Sequence, residues 1–96
     1  MNKNAKHSAR EFFGFMMRIL KERGFERDIR KKMIRDSGLI EECKTESGVS
    51  YVLHYNVDEW CDYVVNPYAW GYKRLRYDKR ASTYADYTSK KTANVL

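Results

Sequence analysis

The apolar pattern of residues 9–24, AREFFGFMMRILKERG, constrains the fold more than any other feature of this chain. Its large apolar residues repeat at helical spacing and share one wide face: Phe12, Phe13, Met16, Ile19 and Leu20. Ser8 and Glu11 have the spacing of a capping box, which satisfies backbone N–H groups at the start of a helix. Gly24 supplies the left-handed residue on which helices often end. We therefore predict a first helix from about Ser8 to Gly24, with this apolar face in the core.

A second helix is predicted from about Glu26 to Ser37, closed by Gly38. Its apolar residues would point inward: Ile29, Met33 and Ile34. Its cations form an outward stripe at helical spacing: Arg27, Arg30, Lys31 and Arg35. A helix of a small domain must expose charge on its free side, but the nearly uniform positive sign here favours a binding role.

The apolar period changes after Gly38. The runs LIEECKT and VSYVLHY are predicted to be two strands joined by residues 46–48, in which Gly48 would give the positive φ of a tight turn. Asn56 or Asp58 then caps a short helix, VDEWCDYVV, and Pro67 opens the last helix. The predicted fold class is therefore α+β: two N-terminal helices, a β-hairpin, then one or two C-terminal helices.

Length and charge limit the number of domains and the class of partner. The chain has 96 residues, of which 43% are apolar, so we expect a single small domain over residues 1–96 with disordered ends at about 1–7 and 89–96. Charge is divided along the chain: residues 1–38 carry +6, residues 39–66 carry −5 and residues 67–96 carry +5. Basic segments of this kind attract polyanions, of which nucleic acid is the commonest.

Cysteine and histidine usage argues against a metal site. Cys43 and Cys61 have no CxxC spacing, and neither His7 nor His54 falls at a ligand spacing with them. No apolar run approaches the roughly eighteen residues of a membrane span, and the N-terminus has no signal-peptide pattern. We expect a cytoplasmic protein with reduced cysteines and without metal or cofactor. Since no Gly-rich phosphate loop, paired-acid motif or Ser-His-Asp spacing occurs, we expect no enzyme.

The C-terminal stretch YKRLRYDKRASTYADYTSKK, residues 72–91, combines seven Lys/Arg with four Tyr. On a helix, one face would carry these cations and rings together: Lys73, Arg76, Tyr77, Arg80, Tyr84 and Tyr87. Lys and Arg neutralise phosphates in any sequence, and a Tyr ring can stack on an unpaired base. Because a duplex hides its bases, this composition favours RNA or single strands. We expect this face and the stripe of the second helix to meet in one nucleic-acid-binding surface.

Two resemblances bear on function. Residues 33–55, MIRDSGLIEECKTESGVSYVLHY, resemble the end of the recognition helix and the wing of winged-helix DNA-binding domains, with these matching positions: Gly38, Leu39, Ile40, Gly48, Tyr51 and Leu53. This resemblance implies a DNA-binding regulator as one alternative. In length, charge and tyrosine content the chain also resembles small basic early proteins of T-even-like bacteriophages. That likeness implies RNA binding in the host cytoplasm, or counter-defence by inhibition of a ribonuclease toxin.

Two further functions stay open on the sequence. The first is a protein-directed inhibitor or adaptor without nucleic acid, whose basic face binds an acidic partner directly, or whose acidic middle meets a basic partner or a second copy in a homodimer. Its interface would contain Glu41, Glu42, Trp60 and Trp70. The second is a ribonuclease similar to the RelE-type toxins, which have this length and charge. Its catalytic set would be His54, Tyr51 and Tyr55 beside Arg76 or Arg80.

Overall fold

The computed structural model describes residues 2–66 together with Leu75 and Tyr77. This part of the chain folds into five helices: α1 Lys3–Glu22, α2 Arg27–Asp36, α3 Leu39–Glu42, α4 Glu46–Leu53 and α5 Val57–Val65. The long α1 packs against α5, α2 and α4 and so lies at the centre of the bundle. None of the helices described is long and apolar enough to cross a membrane. The predicted last helix, from Pro67 onward, falls outside the described residues apart from Leu75 and Tyr77.

The predicted β-hairpin, and with it the α+β class, is wrong, because residues 2–66 contain no strand. The run LIEECKT contains the short helix α3, and the run VSYVLHY lies mostly in α4. Thr45 begins α4, since its Oγ1 accepts a hydrogen bond of 3.0 Å from the N–H of Gly48. Val49 and Val52 follow on the buried side at helical spacing. The described part of the chain is therefore all-α.

Gly48 has a different role from the turn residue that the sequence suggested. It lies inside α4 and is buried, and its φ is not positive, unlike the φ of Gly24 and Gly38. A Cβ built on Gly48 would overlap the carbonyl oxygen of Glu42 and lie 2.8 Å from the carbonyl carbon. The missing side chain thus allows the first turn of α4 to approach the end of α3.

The first helix confirms the predicted apolar face but begins earlier than Ser8. Asn2 is its N-cap, with the side-chain oxygen accepting a hydrogen bond of 2.8 Å from the N–H of Ala5. Three side chains of the predicted face are buried, namely Phe12, Met16 and Leu20. Two more are partly buried, Phe13 and Ile19. Gly24 adopts the expected left-handed conformation, with φ 95°.

The second helix matches its prediction to within a residue and buries the three expected side chains, Ile29, Met33 and Ile34. Gly38, with φ 86°, then turns the chain into α3. The buried Ser37 joins the two helices, because its hydroxyl donates to the carbonyl of Ile34 and accepts from the N–H of Leu39.

The predicted α5 is confirmed, with Asn56 as its cap and Trp60, Tyr63 and Val64 buried. The indole N–H of Trp60 donates to the carbonyl of Val52 at 2.6 Å, which ties α5 to α4. Edge-to-face ring contacts surround Trp60, with centroids 5.7 to 6.1 Å from its neighbours: Tyr51, Tyr55 and Tyr63. The hydroxyl of Tyr63 accepts a hydrogen bond from the N–H of Leu75, so this point of the C-terminal stretch packs against α5.

Candidate nucleic-acid interface

Cations outnumber acids on the exposed sides of α1 and α2, where the exposed acids are Glu11, Glu22 and Asp28. The exposed cations, which form the basic face, are Lys3, Lys6, Arg10, Arg18, Lys21, Arg27, Lys31 and Arg35. The only ion pairs formed by α1 and α2 with described residues involve other side chains: His7 with Glu11, Arg23 with Asp62, and Lys32 with Asp36. The eight cations of the basic face therefore keep their charge available to a ligand.

Three other cations of this region form hydrogen bonds or ion pairs within the protein: Arg30, Arg23 and Lys32. Arg30, which the sequence placed in the binding stripe, donates from Nε to the carbonyl of Phe25 and from Nη1 to the carbonyl of Met17, each at 3.0 Å. It is half-buried and braces α2 against α1. Arg23 pairs with Asp62 of α5 at 2.7 Å, and Lys32 pairs with Asp36 at 2.6 Å. The role of Arg30 is therefore to hold its neighbours in position. The other three cations of the predicted stripe, Arg27, Lys31 and Arg35, are exposed as predicted.

Helices α3 to α5 and the residues that join them carry the opposite charge. They hold six acidic side chains, Glu41, Glu42, Glu46, Asp58, Glu59 and Asp62, against one lysine, Lys44. Lys44 itself pairs with Glu41 at 2.9 Å. The described part of the molecule thus has one strongly basic pair of helices and one acidic set. A polyanion would be attracted to the first and repelled by the second.

An apolar groove lies within the basic side of the molecule, with a cavity volume of about 490 Å³. The described residues that line this α1–α2 groove are Phe13 and Met17 of α1, Lys31, Ile34 and Arg35 of α2, and Ile40 of α3. Ile34 is buried, Phe13 and Met17 are half-buried, and the other three are exposed. The groove therefore has an apolar floor and two cations at its edge.

A second recess, of about 420 Å³, has acidic and aromatic walls. Its described lining includes Glu41, Glu42 and Tyr51 together with Tyr77 from the C-terminal stretch. Tyr77, predicted to share a surface with the cations of α2, is thus beside two carboxylates and is not among the residues that line the α1–α2 groove. The described residues do not bring these two predicted binding segments together.

The remaining predicted positions divide into buried, exposed and undescribed ones. Trp60, predicted for a protein interface, is fully buried, so its ring offers no surface to a partner. His54 of the predicted catalytic set is exposed at the end of α4, with its ring 5.1 Å from that of Tyr55. Outside the described residues lie Trp70, Lys73, Arg76, Arg80, Tyr84 and Tyr87.

The two thiols are buried and free. Burial raises the pKa of Cys61 to about 12, and burial together with the charge of Glu42 raises the pKa of Cys43 to about 11. Both are therefore protonated at neutral pH, which makes them poor nucleophiles and poor metal ligands. Within the described ranges, no group of three His, Cys, Asp or Glu side chains could hold a metal ion.

Comparison with known proteins gives no match: neither a family model, nor a curated protein, nor a solved structure is similar to this chain.

Proposed function

We propose that this protein binds nucleic acid, RNA or another single strand, through the basic face of α1 and α2. The observation that carries the proposal is the separation of charge. Eight exposed cations lie on two adjacent helices without ion pairs to described residues, whereas α3 to α5 and the residues that join them carry six acidic side chains against one lysine. Binding of this kind makes or breaks no covalent bond. We place the activity in the cytoplasm, that of the host if a phage encodes the chain.

Phosphate neutralisation supplies the affinity. Each Lys or Arg that meets a phosphate releases a condensed counterion, and this release is independent of base sequence. Arg10 lies one helical turn before Phe13, and Lys21 lies one helical turn after Met17. These two cations therefore flank the α1–α2 groove on its α1 side. Arg27 lies one turn before Lys31 on the other side. Together with Arg35, this arrangement gives about five phosphate contacts along a path of roughly 16 Å, the rise of α1 between its two flanking cations.

Salt dependence tests the proposal. Fluorescence anisotropy with a labelled oligouridylate should give a log–log slope of affinity against salt of about −3.5, from about five contacts at 0.7 each. Lys31→Glu should weaken binding and reduce the steepness of the slope by about 0.7. Lys44→Glu is the matched control, since it makes the same change in net charge on the acidic side. A slope near zero, or equal losses in the two variants, would contradict the proposal.

A further inference from the structure

The α1–α2 groove combines two features that a surface built only for phosphate would not need together. Its described floor is apolar, from Phe13, Met17, Ile34 and Ile40, and 42% of Ile40 is exposed to solvent. Its edge carries the two cations Lys31 and Arg35. An apolar recess that lies among cations without an ion pair to any described residue fits a ligand in which apolar groups and negative charges alternate.

Single-stranded nucleic acid has this alternation, because every phosphate is followed by a base whose flat face is apolar. Unpaired bases stack on aromatic side chains and against aliphatic ones in proteins that bind single strands. The ring of Phe13 is half-buried at the floor, where it meets Phe12 edge to face with centroids 5.5 Å apart. A ring fixed in this way loses little freedom when a base is placed on it. In a duplex the base faces are already stacked and could not enter the groove.

An acidic amphipathic helix of a partner protein would also satisfy an apolar groove with cations at its edge. The charge distribution favours the strand. Cations flank the groove on both α1 and α2, and the basic face continues beyond it to Lys3, Lys6 and Arg18. A line of charge of this extent suits a ligand that carries one negative charge per unit along its whole length.

We propose that the α1–α2 groove takes an unpaired base of the bound strand, with the Phe13 side chain as its stacking partner and Lys31 and Arg35 on the neighbouring phosphates. This inference rests on the proposed function and adds the class of ligand, a single strand with accessible bases. Arg30 is a positioning residue for this site, because its hydrogen bonds to the carbonyls of Met17 and Phe25 hold the two walls of the groove together.

Two oligonucleotides of equal charge test the inference. One is an oligothymidylate, and the other has the same backbone with an abasic tetrahydrofuran unit in place of every nucleoside. Anisotropy at fixed salt should show the base-bearing strand to bind about 5- to 150-fold tighter, the contribution of one stacked base. Phe13→Leu should bring this ratio close to one while leaving the affinity for the abasic strand unchanged.

Phe15→Leu is the matched control for Phe13→Leu. Phe15 is on the same helix, is 46% exposed, and is not among the residues that line the groove, so its replacement should keep the full ratio. Ile40→Asn is a second groove variant at an exposed position, which should lower the ratio even if Phe13→Leu disturbs folding. Salt-dependent but equal affinity for the two strands would overturn the base site, leave the proposed function intact, and leave an acidic protein helix as the alternative occupant of the groove. Failure of both strands to bind would overturn the two proposals together.

Discussion

A pair of glycine substitutions tests the close approach of α3 and α4 that replaces the predicted hairpin. Gly48→Ala would place a Cβ on the carbonyl of Glu42, an atom of the backbone that cannot rotate away. Gly14→Ala makes the same chemical change in the exposed middle of α1, where no atom other than those of the adjacent residues and the nearby backbone of α1 lies within 4 Å of the added Cβ. The two variants therefore share a gain in helix propensity, which is smaller for Gly48 in the first turn of α4, and differ most in the space around the methyl group.

The expected effects have opposite signs. Replacing Gly by Ala inside a helix stabilises it by about 0.5–1 kcal/mol, so Gly14→Ala should raise the melting temperature by about 2–8 °C in a domain of this size. At Gly48 the smaller gain is outweighed by the displacement of backbone, which costs about 1–3 kcal/mol in overpacked cores and more where a main-chain atom is overlapped. A net loss of about 2 kcal/mol would lower the melting temperature by about 8–16 °C.

Thermal unfolding followed by far-ultraviolet circular dichroism measures both variants in one assay. Urea unfolding at constant temperature gives the free-energy differences independently, provided that the slopes of the variants agree. Gly48→Ala protein that melts at or above the temperature of the wild type would refute the packing of α4 on α3. Gly14→Ala that destabilises by more than about 1 kcal/mol would refute the exposed position of that glycine in α1.

Three further predictions concern buried contacts. Arg30→Leu should lower the free energy of unfolding by about 2 kcal/mol, because two backbone carbonyls lose a charged hydrogen-bond donor. The control Arg27→Leu, at an exposed position, should change the free energy of unfolding by less than about 0.5 kcal/mol. Equal effects of the two variants in urea unfolding would contradict the role of Arg30 in joining α2 to α1. Folding raises the thiol pKa from the ordinary 9.0 to about 12 in Cys61 and about 11 in Cys43. The unfolded chain therefore loses these protons at lower pH than the folded protein, and the free energy of unfolding should fall from pH 9 upward. This fall should diminish when both cysteines are replaced by alanine, and an unchanged profile would refute it. Trp60→Phe should cost about 1–3 kcal/mol in thermal unfolding, because the carbonyl of Val52 then keeps only the longer hydrogen bond from the N–H of Tyr55, at 3.3 Å, and a neutral result would exclude the indole hydrogen bond.

Local signals predicted three of the helices because each combines an apolar period with a residue that marks one of its ends: Gly24 for α1, Gly38 for α2 and Asn56 for α5. The apolar faces of α1 and α2 repeat over enough turns to exclude a strand, and Gly24 marks an end that the structure confirms. Asn56 predicted the start of α5 in the same way. In these segments local preference and tertiary packing agree, so the sequence alone identified the helices, although α1 begins at Lys3 and not at Ser8.

The hairpin prediction failed because α3 and α4 are too short for their period to be unambiguous. Alternation through Tyr51, Leu53 and Tyr55 suggested a strand, and Gly48 suggested its turn. The better signal was Thr45, an N-cap residue three positions before Gly48, with Val49 and Val52 at helical spacing on the buried side. Only the approach of α4 to α3 explains a buried glycine there, and that approach is a tertiary feature.

The candidate site was predictable in its charges and not in its shape. Arg27, Lys31 and Arg35 are exposed where helical spacing placed them. The same spacing could not distinguish Arg30, whose two carbonyl partners come from other parts of the chain. The α1–α2 groove was missed altogether, because its apolar floor combines residues of three helices and exists only after they pack.

Mapping of the bound strand by NMR tests the central claim, that the basic face binds nucleic acid, most directly. An oligouridylate is titrated into isotopically labelled protein at low salt, and the backbone and arginine side-chain signals are followed. Binding to the basic face should give shift changes concentrated on α1 and α2, including the side chains of Arg10, Arg27 and Arg35, with little change in α5. Changes centred on the acidic recess of Glu41 and Glu42, or none at any strand concentration, would contradict it.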